Sequence, residues 1–428
     1  MAETDKTPVS KRKFDSRDFN TIAEYIADEH ARRRESKDRK SKVKIWAEVD
    51  RQLRMEPDLS FKKNSKGEFD PSKKWMPEFE LPLQSQTSEV LTADARRMMF
   101  PDSGPWFSAH AATTDKYLDR ADFAALISGD ESEVPSKINQ ENADKLVEGW
   151  LNHFHRQYDF KGHWDRINAE AFHYGIGVGR ARNVRKSVYQ NTAKGVIKAD
   201  QTIPVLFPRS VKKTFLDDRP FNLMNEGQLI GPSVIFEETK SLDDLRLAAS
   251  KGKTGAKDMD GGWMPRSLAG MKGNAKGNVT VLEYEGDLIV PRKTTRSLFI
   301  PGAIATVALG EHRPKVIRLR FREMSTPSYV VVPYHLEDMD SPYAESPLMK
   351  GMPIQKAASL MFNMLNAAAI LNGQPPISYD RSDPLFTAQG GPEIYPKALW
   401  GTLGKIDIHQ IGDPSMLAQV YFQLVSQY

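Results

Sequence analysis

The sequence predicts an α+β fold, and three observations carry that reading. Apolar residues recur at three- and four-residue spacing in several stretches, above all Ile354 to Leu371. Short β-type runs bounded by Gly, Pro and Asp follow one another between residues 279 and 333. The chain has 428 residues, 39% hydrophobic and 27% charged, enough for two or three domains with a buried core and incompatible with wholesale disorder.

Taken in order, Thr21-Ile22-Ala23-Glu24 is a capping-box pattern, and Ile22, Tyr25 and Ile26 give the helix it opens an apolar edge. Arg32-Arg33-Arg34-Glu35 through Lys44 is almost wholly charged with mixed sign, until Ile45, Trp46, Val49 and Leu53 restore the spacing. The pattern predicts one long helix with a solvated middle. Trp75 to Leu83 is held extended by Pro77 and Pro82, and a helix is expected from Gln86 to Met99. Two helices are expected between Ser136 and Tyr174, with a break near Gly162 and with Gly175 ending the second.

Strands are expected at Gly195 to Ala199, Thr202 to Phe207 and Ser233 to Glu238, with a turn at Asp217-Asp218-Arg219-Pro220. A helix from Ser241 to Ser250 carries Asp243 and Asp244 in its first turn, where the helix dipole favours anions. Gly252 to Gly277 holds seven glycines in 26 residues together with Lys253, Lys257, Lys272 and Lys276, and reads as a mobile cationic loop. Six strands follow, at Val279–Tyr284, Asp287–Val290, Arg296–Ile300, Ala303–Leu309, Lys315–Phe321 and Tyr329–Pro333, forming a compact β insertion. The turn Ser341-Pro342-Tyr343 then leads into the long helix closed by Gly373 and Pro375-Pro376. On that helix Ile354, Met361, Met364, Leu365, Ala368 and Leu371 fall on one side, and Gln355, Lys356, Ser359, Asn363 and Asn366 on the other. Strands at Ile377–Asp380 and Lys405–Ile411, joined through a turn-rich Trp400-Gly401 link, and a helix opening at Asp413 complete the chain.

The chemistry-bearing patterns are negative. There is no cysteine, which removes disulfides, thiol nucleophiles and zinc ribbons. Gly175-Ile176-Gly177-Val178-Gly179-Arg180 lacks the third glycine of a dinucleotide loop and follows a helix where a strand is required. Gly252-Lys253-Thr254 resembles the tail of a phosphate-binding loop, but the leading position is Leu247 on a helix. His153 and His155 stand two apart, and their rings diverge on a helix; His163 and His173 are further on. Glu237-Glu238 and Asp243-Asp244 are adjacent pairs that do not converge. No catalytic residue, cofactor or metal is therefore expected. Lys+Arg exceed Asp+Glu by only 60 to 56, so any contact with nucleic acid must be local. The amino terminus has no apolar core, and no run approaches about 18 apolar residues, so a chain without a membrane association and made in the host cytoplasm is expected.

The order of a β-rich segment, a Ser341-Pro342-Tyr343 turn, one long helix and a double proline resembles the region after the clip in portal proteins, the head-to-tail connectors of tailed double-stranded DNA bacteriophages. Trp75, Pro77, a helix bearing Arg96-Arg97, then Phe100 and Trp106 are similar to the start of a portal wing. The resemblance implies a wing over residues 1–238, a first stem helix and Gly-rich loop over 239–277, a β-rich clip over 278–335, a second stem helix over 336–373, and a return to the wing over 374–428. Ala344 stands where the family pattern often has glycine, and the family's crown is expected to be either absent or truncated in this sequence.

By that resemblance the chain is a ring subunit of about twelve copies at one capsid vertex of the virion. Double-stranded DNA would pass through the ring in packaging and ejection, and the terminase large subunit, tail adaptor proteins and major capsid protein would be its partners. Gln355, Lys356, Ser359, Asn363 and Asn366 would line the DNA channel, or would pack against the adjacent subunit. Two other readings stay open: a DNA-processing enzyme such as a nuclease or terminase subunit, and a capsid or scaffold component without a channel.

Overall fold

The computed structural model describes residues 16–100, 158–192, 195–217, 233–251, 262–269, 271–290, 298–310, 313–321, 327–335, 341–375 and 377–380, with short pieces in 144–155, 222–230 and 396–423. The chain is α+β and divides into two compact units. One comprises Met1–Val43 with Leu91–Ser346, and the other Lys44–Val90 with Pro347–Tyr428.

Helix α1 spans Ser16–Glu35 and α2 spans Lys37–Leu53. The single long helix expected from the sequence is thus two, interrupted at Ser36, whose hydroxyl accepts the Arg39 N–H as an N-cap to α2. The Thr21–Glu24 box lies inside α1, because the inward stripe begins earlier, at Phe19, and runs through Ile22, Ala23 and Ile26.

The charged middle is mostly solvated, as expected, but two of its arginines turn inward. Seven residues after Ile26 on the same stripe, Arg33 is 1% exposed. Its guanidinium donates to the carbonyls of Phe215 and Ser233 (both 3.2 Å), to the Ser233 hydroxyl (2.6 Å) and to the Asp217 carboxylate (3.1 Å). Arg39 is buried as well; it donates to the Thr214 and Lys212 carbonyls at 2.7 and 2.6 Å and lies 4.0 Å over the Phe215 ring.

The sheet that receives these arginines has the order β3-β6-β7-β8-β9 and is antiparallel throughout: β3 is Thr214–Leu216, β6 Ser233–Ser241, β7 Asn278–Val290, β8 Leu298–Leu309 and β9 Pro314–Phe321. The α1 stripe packs on one face, over Phe215, Ile235, Leu282, Tyr284, Ala305 and Val307. The 278–335 segment is therefore not a separate insertion, since β7 pairs with β6 along nine positions from Ser233 to Ser241. Glu285-Gly286 and Pro301-Gly302, which the sequence reading left as breaks between separate strands, lie within the continuous strands β7 and β8, where they form an irregularity. The register shifts between Gly286 and Leu288, and Asp287 accepts the Gly302 N–H at 2.8 Å.

A second sheet, β10-β1-β2, comprises β1 (Ile176–Thr192), β2 (Gly195–Arg209) and β10 (Tyr329–Pro333). β1 escaped the sequence reading because its glycines suggested a loop. Those glycines serve close packing against α4 (Phe160–Tyr174): a Cβ on Gly177 would sit 2.1 Å from the Ile167 carbonyl oxygen. Gly175 does end that helix, at φ 86° with its N–H on Ala171. The helix begins after Asp159, not near Gly162, which lies in its first turn under the Asp159 carboxylate. β2 continues through Pro204 and Pro208, which an edge strand tolerates. The helix expected before it, over 136–158, falls mostly outside the described residues, as does His153.

The predicted stem helix is α5 (Leu242–Lys251), which lies on the five-stranded sheet. Leu242, Leu245 and Ala249 pack with Val279, Val281, Ala308 and Ile317, and with Leu268 and Met271 from the Gly-rich segment. That segment is anchored from Gly262 onward: Met264 and Gly262 exchange backbone hydrogen bonds with Ile317 and Leu319, and α6 (Pro265–Leu268) follows. Lys253 and Lys257 lie outside the described residues.

Strands β4 (Asn222–Met224) and β5 (Gln228–Ile230) form a small hairpin. In the second unit, α3 (Leu83–Met99) begins as part of this unit, α7 (Pro347–Gly373) is its longest element, and β11 (Ile377–Asp380) pairs in parallel with β12 (Leu399–Thr402) and antiparallel with β13 (Asp407–Ile408). Trp400-Gly401 is thus strand, not a turn-rich link. Ser415, Ala418, Gln419, Phe422 and Gln423 are helical.

Removing one partner from a buried ion pair strands the other, at about 3–5 kcal/mol. Arg33→Ala is therefore expected to lower unfolding free energy in chemical denaturation by about that amount, by taking the buried guanidinium away from the Asp217 carboxylate, which is 0% exposed. Arg34→Ala, whose side chain is 60% exposed, is expected to stay within about 0.5 kcal/mol of the parent.

Candidate functional site

The turn Ser341-Pro342-Tyr343 is a fixed part of the first unit. The Ser341 hydroxyl accepts the Tyr343 N–H at 3.3 Å, and Arg39 donates to the Tyr343 hydroxyl at 3.1 Å. Just beyond it, the Ala344 carbonyl fills the space that a side chain on Gly175 would need, and Ser346 donates to the carbonyl of His173. The turn is held by the end of α4 and by a buried arginine, which fits a structural role.

The α7 stripe is arranged opposite to expectation. Gln355, Ser359 and Asn363 are 0%, 4% and 5% exposed and face their own chain, not a channel. Pro77 and Pro82 keep residues 77–82 out of regular structure, so their N–H groups need acceptors from elsewhere. Helix α7 supplies them. Asn363 clamps Phe79, accepting its N–H at 2.9 Å and donating to its carbonyl at 2.8 Å. Ser359 accepts the Leu81 N–H at 3.1 Å. Gln355 accepts the Gln84 N–H at 2.6 Å, one of the donors left open at the start of α3, and donates to Glu80 at 2.7 Å. Four residues of helix rise about 6 Å and two residues of extended chain about 6.7 Å, so Asn363 and Ser359 on α7 meet Phe79 and Leu81 of an extended segment running the other way.

Lys356 and Asn366 stand apart from this ladder. Asn366 donates to the Phe362 carbonyl of its own helix. Lys356, 54% exposed at its side chain, donates to Asp58 at 2.8 Å. Burial raises the Asp58 carboxyl, but the hydrogen bonds from Lys356 and Ser60 outweigh it and hold the group at about 2. A cavity of about 60 Å³ beside the pair is lined by Asp58, Phe61, Glu80, Lys356, Leu360 and Asn363. That volume suits about two waters, not a nucleotide or cofactor.

The outer side of α7 is apolar. Pro353 and Ala357 are exposed, and Ile354, Leu360 and Met364 are 39%, 42% and 48% exposed, opposite the buried Gln355–Ser359 rungs. The sequence grouped Ile354 and Met364 with Leu371 on one apolar side; the structure exposes the first two and buries Leu371. Among the described residues no three His, Cys, Asp or Glu side chains come together to hold a metal, and no helix is long and apolar enough to cross a membrane. Neither a protein-family model nor a curated protein matches the chain.

Two outcomes follow at this site. Gln355→Leu leaves the buried Gln84 N–H without an acceptor, so a loss of about 1–3 kcal/mol is expected in denaturant unfolding, against little change for Asn366→Leu. Because the folded Asp58 carboxyl titrates below its unfolded value of about 4, its contribution is present above pH 4 and lost as pH falls toward 2. Lys356→Met is expected to move the Asp58 carboxyl titration, followed by carbon NMR shifts, upward toward the ordinary carboxylate range.

Proposed function

We propose that this chain is the subunit of a portal ring, through which double-stranded DNA enters and leaves a capsid. The ring sits at one vertex of the virion, docks the terminase large subunit and later the tail adaptors, and catalyses nothing itself. The order of β-rich segment, Ser-Pro-Tyr turn and long helix supports this reading.

The observation that carries it is the outer stripe of α7. A helix that spends its polar side chains inward, on its own chain, and turns Ile354, Leu360 and Met364 outward has apolar surface that a further copy of the chain can bury. A closed ring buries the same stripe on every copy without leaving an open end. With Gln355, Ser359 and Asn363 engaged inside the chain, they are withdrawn as channel-lining residues.

Native mass spectrometry is expected to find a closed oligomer of about twelve. Leu360→Glu combined with Met364→Glu, both at exposed positions, is expected to give monomers with an unchanged circular dichroism spectrum. A monomeric parent at micromolar concentration, in low and in high salt, overturns the reading. Sedimentation of a large closed shell in place of a ring would support a capsid component.

A further inference from the structure

The end of α3 docks on α4 through a thioether that the ring reading does not use. Both segments belong to the first unit, which takes α3 from Leu91 onward. Met99, the last residue of α3, presents its sulfur to two donors one turn apart on α4: the Trp164 Nε1–H at 3.1 Å and the Asn168 amide at 3.2 Å. Neighbouring contacts hold the two helices together. Arg96 lies 3.3 Å from the Asp165 carboxylate, and Lys161 lies 5.1 Å over the ring of the buried Phe100. Phe160 stacks on Trp164 with centroids 6.0 Å apart and planes 15° off parallel, which fixes the direction of the indole N–H.

Donors and acceptor are mismatched here. A thioether sulfur accepts weakly, whereas the indole and carboxamide N–H groups are full donors, and Asn168 is only 8% exposed. A buried donor that meets a poor acceptor regains little of the hydrogen bonding it had in water. The sulfur itself is within reach of solutes, since Met99 is 38% exposed, and its unbranched side chain has the freedom to back away from α4. Oxygen adds to a thioether along a sulfur lone pair, the direction in which the two donors already lie. An oxygen placed there would meet both N–H groups as a strong acceptor.

We propose that Met99 is a methionine oxidation site, with Trp164 and Asn168 as the donors that receive the sulfoxide oxygen. The oxidant is a hydroperoxide. With hydrogen peroxide, a sulfur lone pair attacks one peroxide oxygen and the O–O bond breaks; sulfur is oxidised to the sulfoxide, and the second oxygen leaves as water with both peroxide protons. Methionine sulfoxide reductases reverse the change. Oxidation of a packed methionine ordinarily disrupts its surroundings, because it sets a polar group among apolar ones. At Met99 the new oxygen arrives between two N–H groups, so the modification tightens the α3–α4 contact. The site is distinct from α7, and the proposal stands or falls independently of the ring.

Peptide mapping by mass spectrometry, after graded hydrogen peroxide treatment of the full chain, tests the site against its neighbour Met98, which is 80% exposed. Exposure alone would oxidise Met98 first. Met99 is expected to match or lead it, and Trp164→Phe is expected to slow oxidation at Met99 about fivefold, the equivalent of one hydrogen bond, with Met98 unchanged. A second measurement needs neither peroxide nor a change in α4, and so holds if Trp164→Phe fails to fold. Met99→Gln offers the donors an amide oxygen in place of the sulfoxide, without oxidising the rest of the 16 methionines. Its denaturant midpoint is expected to lie above that of Met99→Leu, which offers no acceptor. Met99 lagging behind Met98, or a Met99→Gln midpoint equal to or below that of Met99→Leu, overturns the proposal.

Discussion

The first unit depends on a guanidinium group placed where a helix stripe calls for a hydrocarbon. Arg33 continues the Phe19–Ile22–Ile26 face of α1 past the end of the apolar core and reaches the edge where β3 pairs with β6. There it bonds two strand carbonyls, a hydroxyl and the Asp217 carboxylate. A buried charge is tolerable only when its hydrogen bonds are nearly complete. The geometry of the α1–sheet packing is thus set by five N–H groups of fixed orientation more than by the softer contacts of Ile22 and Ile26. Arg39, one helix break later, does the same for the Thr214 and Lys212 carbonyls, and reaches the Tyr343 turn as well.

The same device recurs at two other contacts, one in each unit. Between the sheets of the first unit the contact is made by Arg180, Arg182 and Arg209 against Glu283, Glu285 and Glu238. In the second unit α7 meets residues 79–84 through Asn363, Ser359 and Gln355. Directional polar contacts specify one register where apolar ones would accept several. The chain uses them at its joins and keeps hydrocarbon for the centre of the five-stranded sheet, where Leu282, Ala305 and Val307 are fully buried.

For α7 this division has a functional consequence. Polar side chains committed to the interior of the chain leave the outer side to Ile354, Ala357, Leu360 and Met364. A helix of this kind offers a neighbour shape and hydrocarbon, with Lys350 and Lys356 as its cations, the second already engaged by Asp58. Under the ring reading α7 then acts as an assembly surface first, and the DNA-facing groups have to come from other parts of the chain.

The α+β class, the break at Gly175, the helices near 83–99, 242–251 and 347–373, and the strands of residues 279–333 were legible in the sequence, because each rests on local periodicity and local turn chemistry. The position of Arg33 was legible too, seven residues after Ile26, had the stripe been followed through the charged run. Other features depend on partners distant in sequence. Gly177 reads as loop until the Ile167 carbonyl lies against it, Gly286 and Gly302 read as breaks until one strand bonds the other, and Gln355, Ser359 and Asn363 read as a channel wall or subunit contact until Phe79, Leu81 and Gln84 present their N–H groups. Helical spacing determines which side chains share a face; which face is inward is decided by where the unsatisfied backbone donors of the rest of the chain arrive.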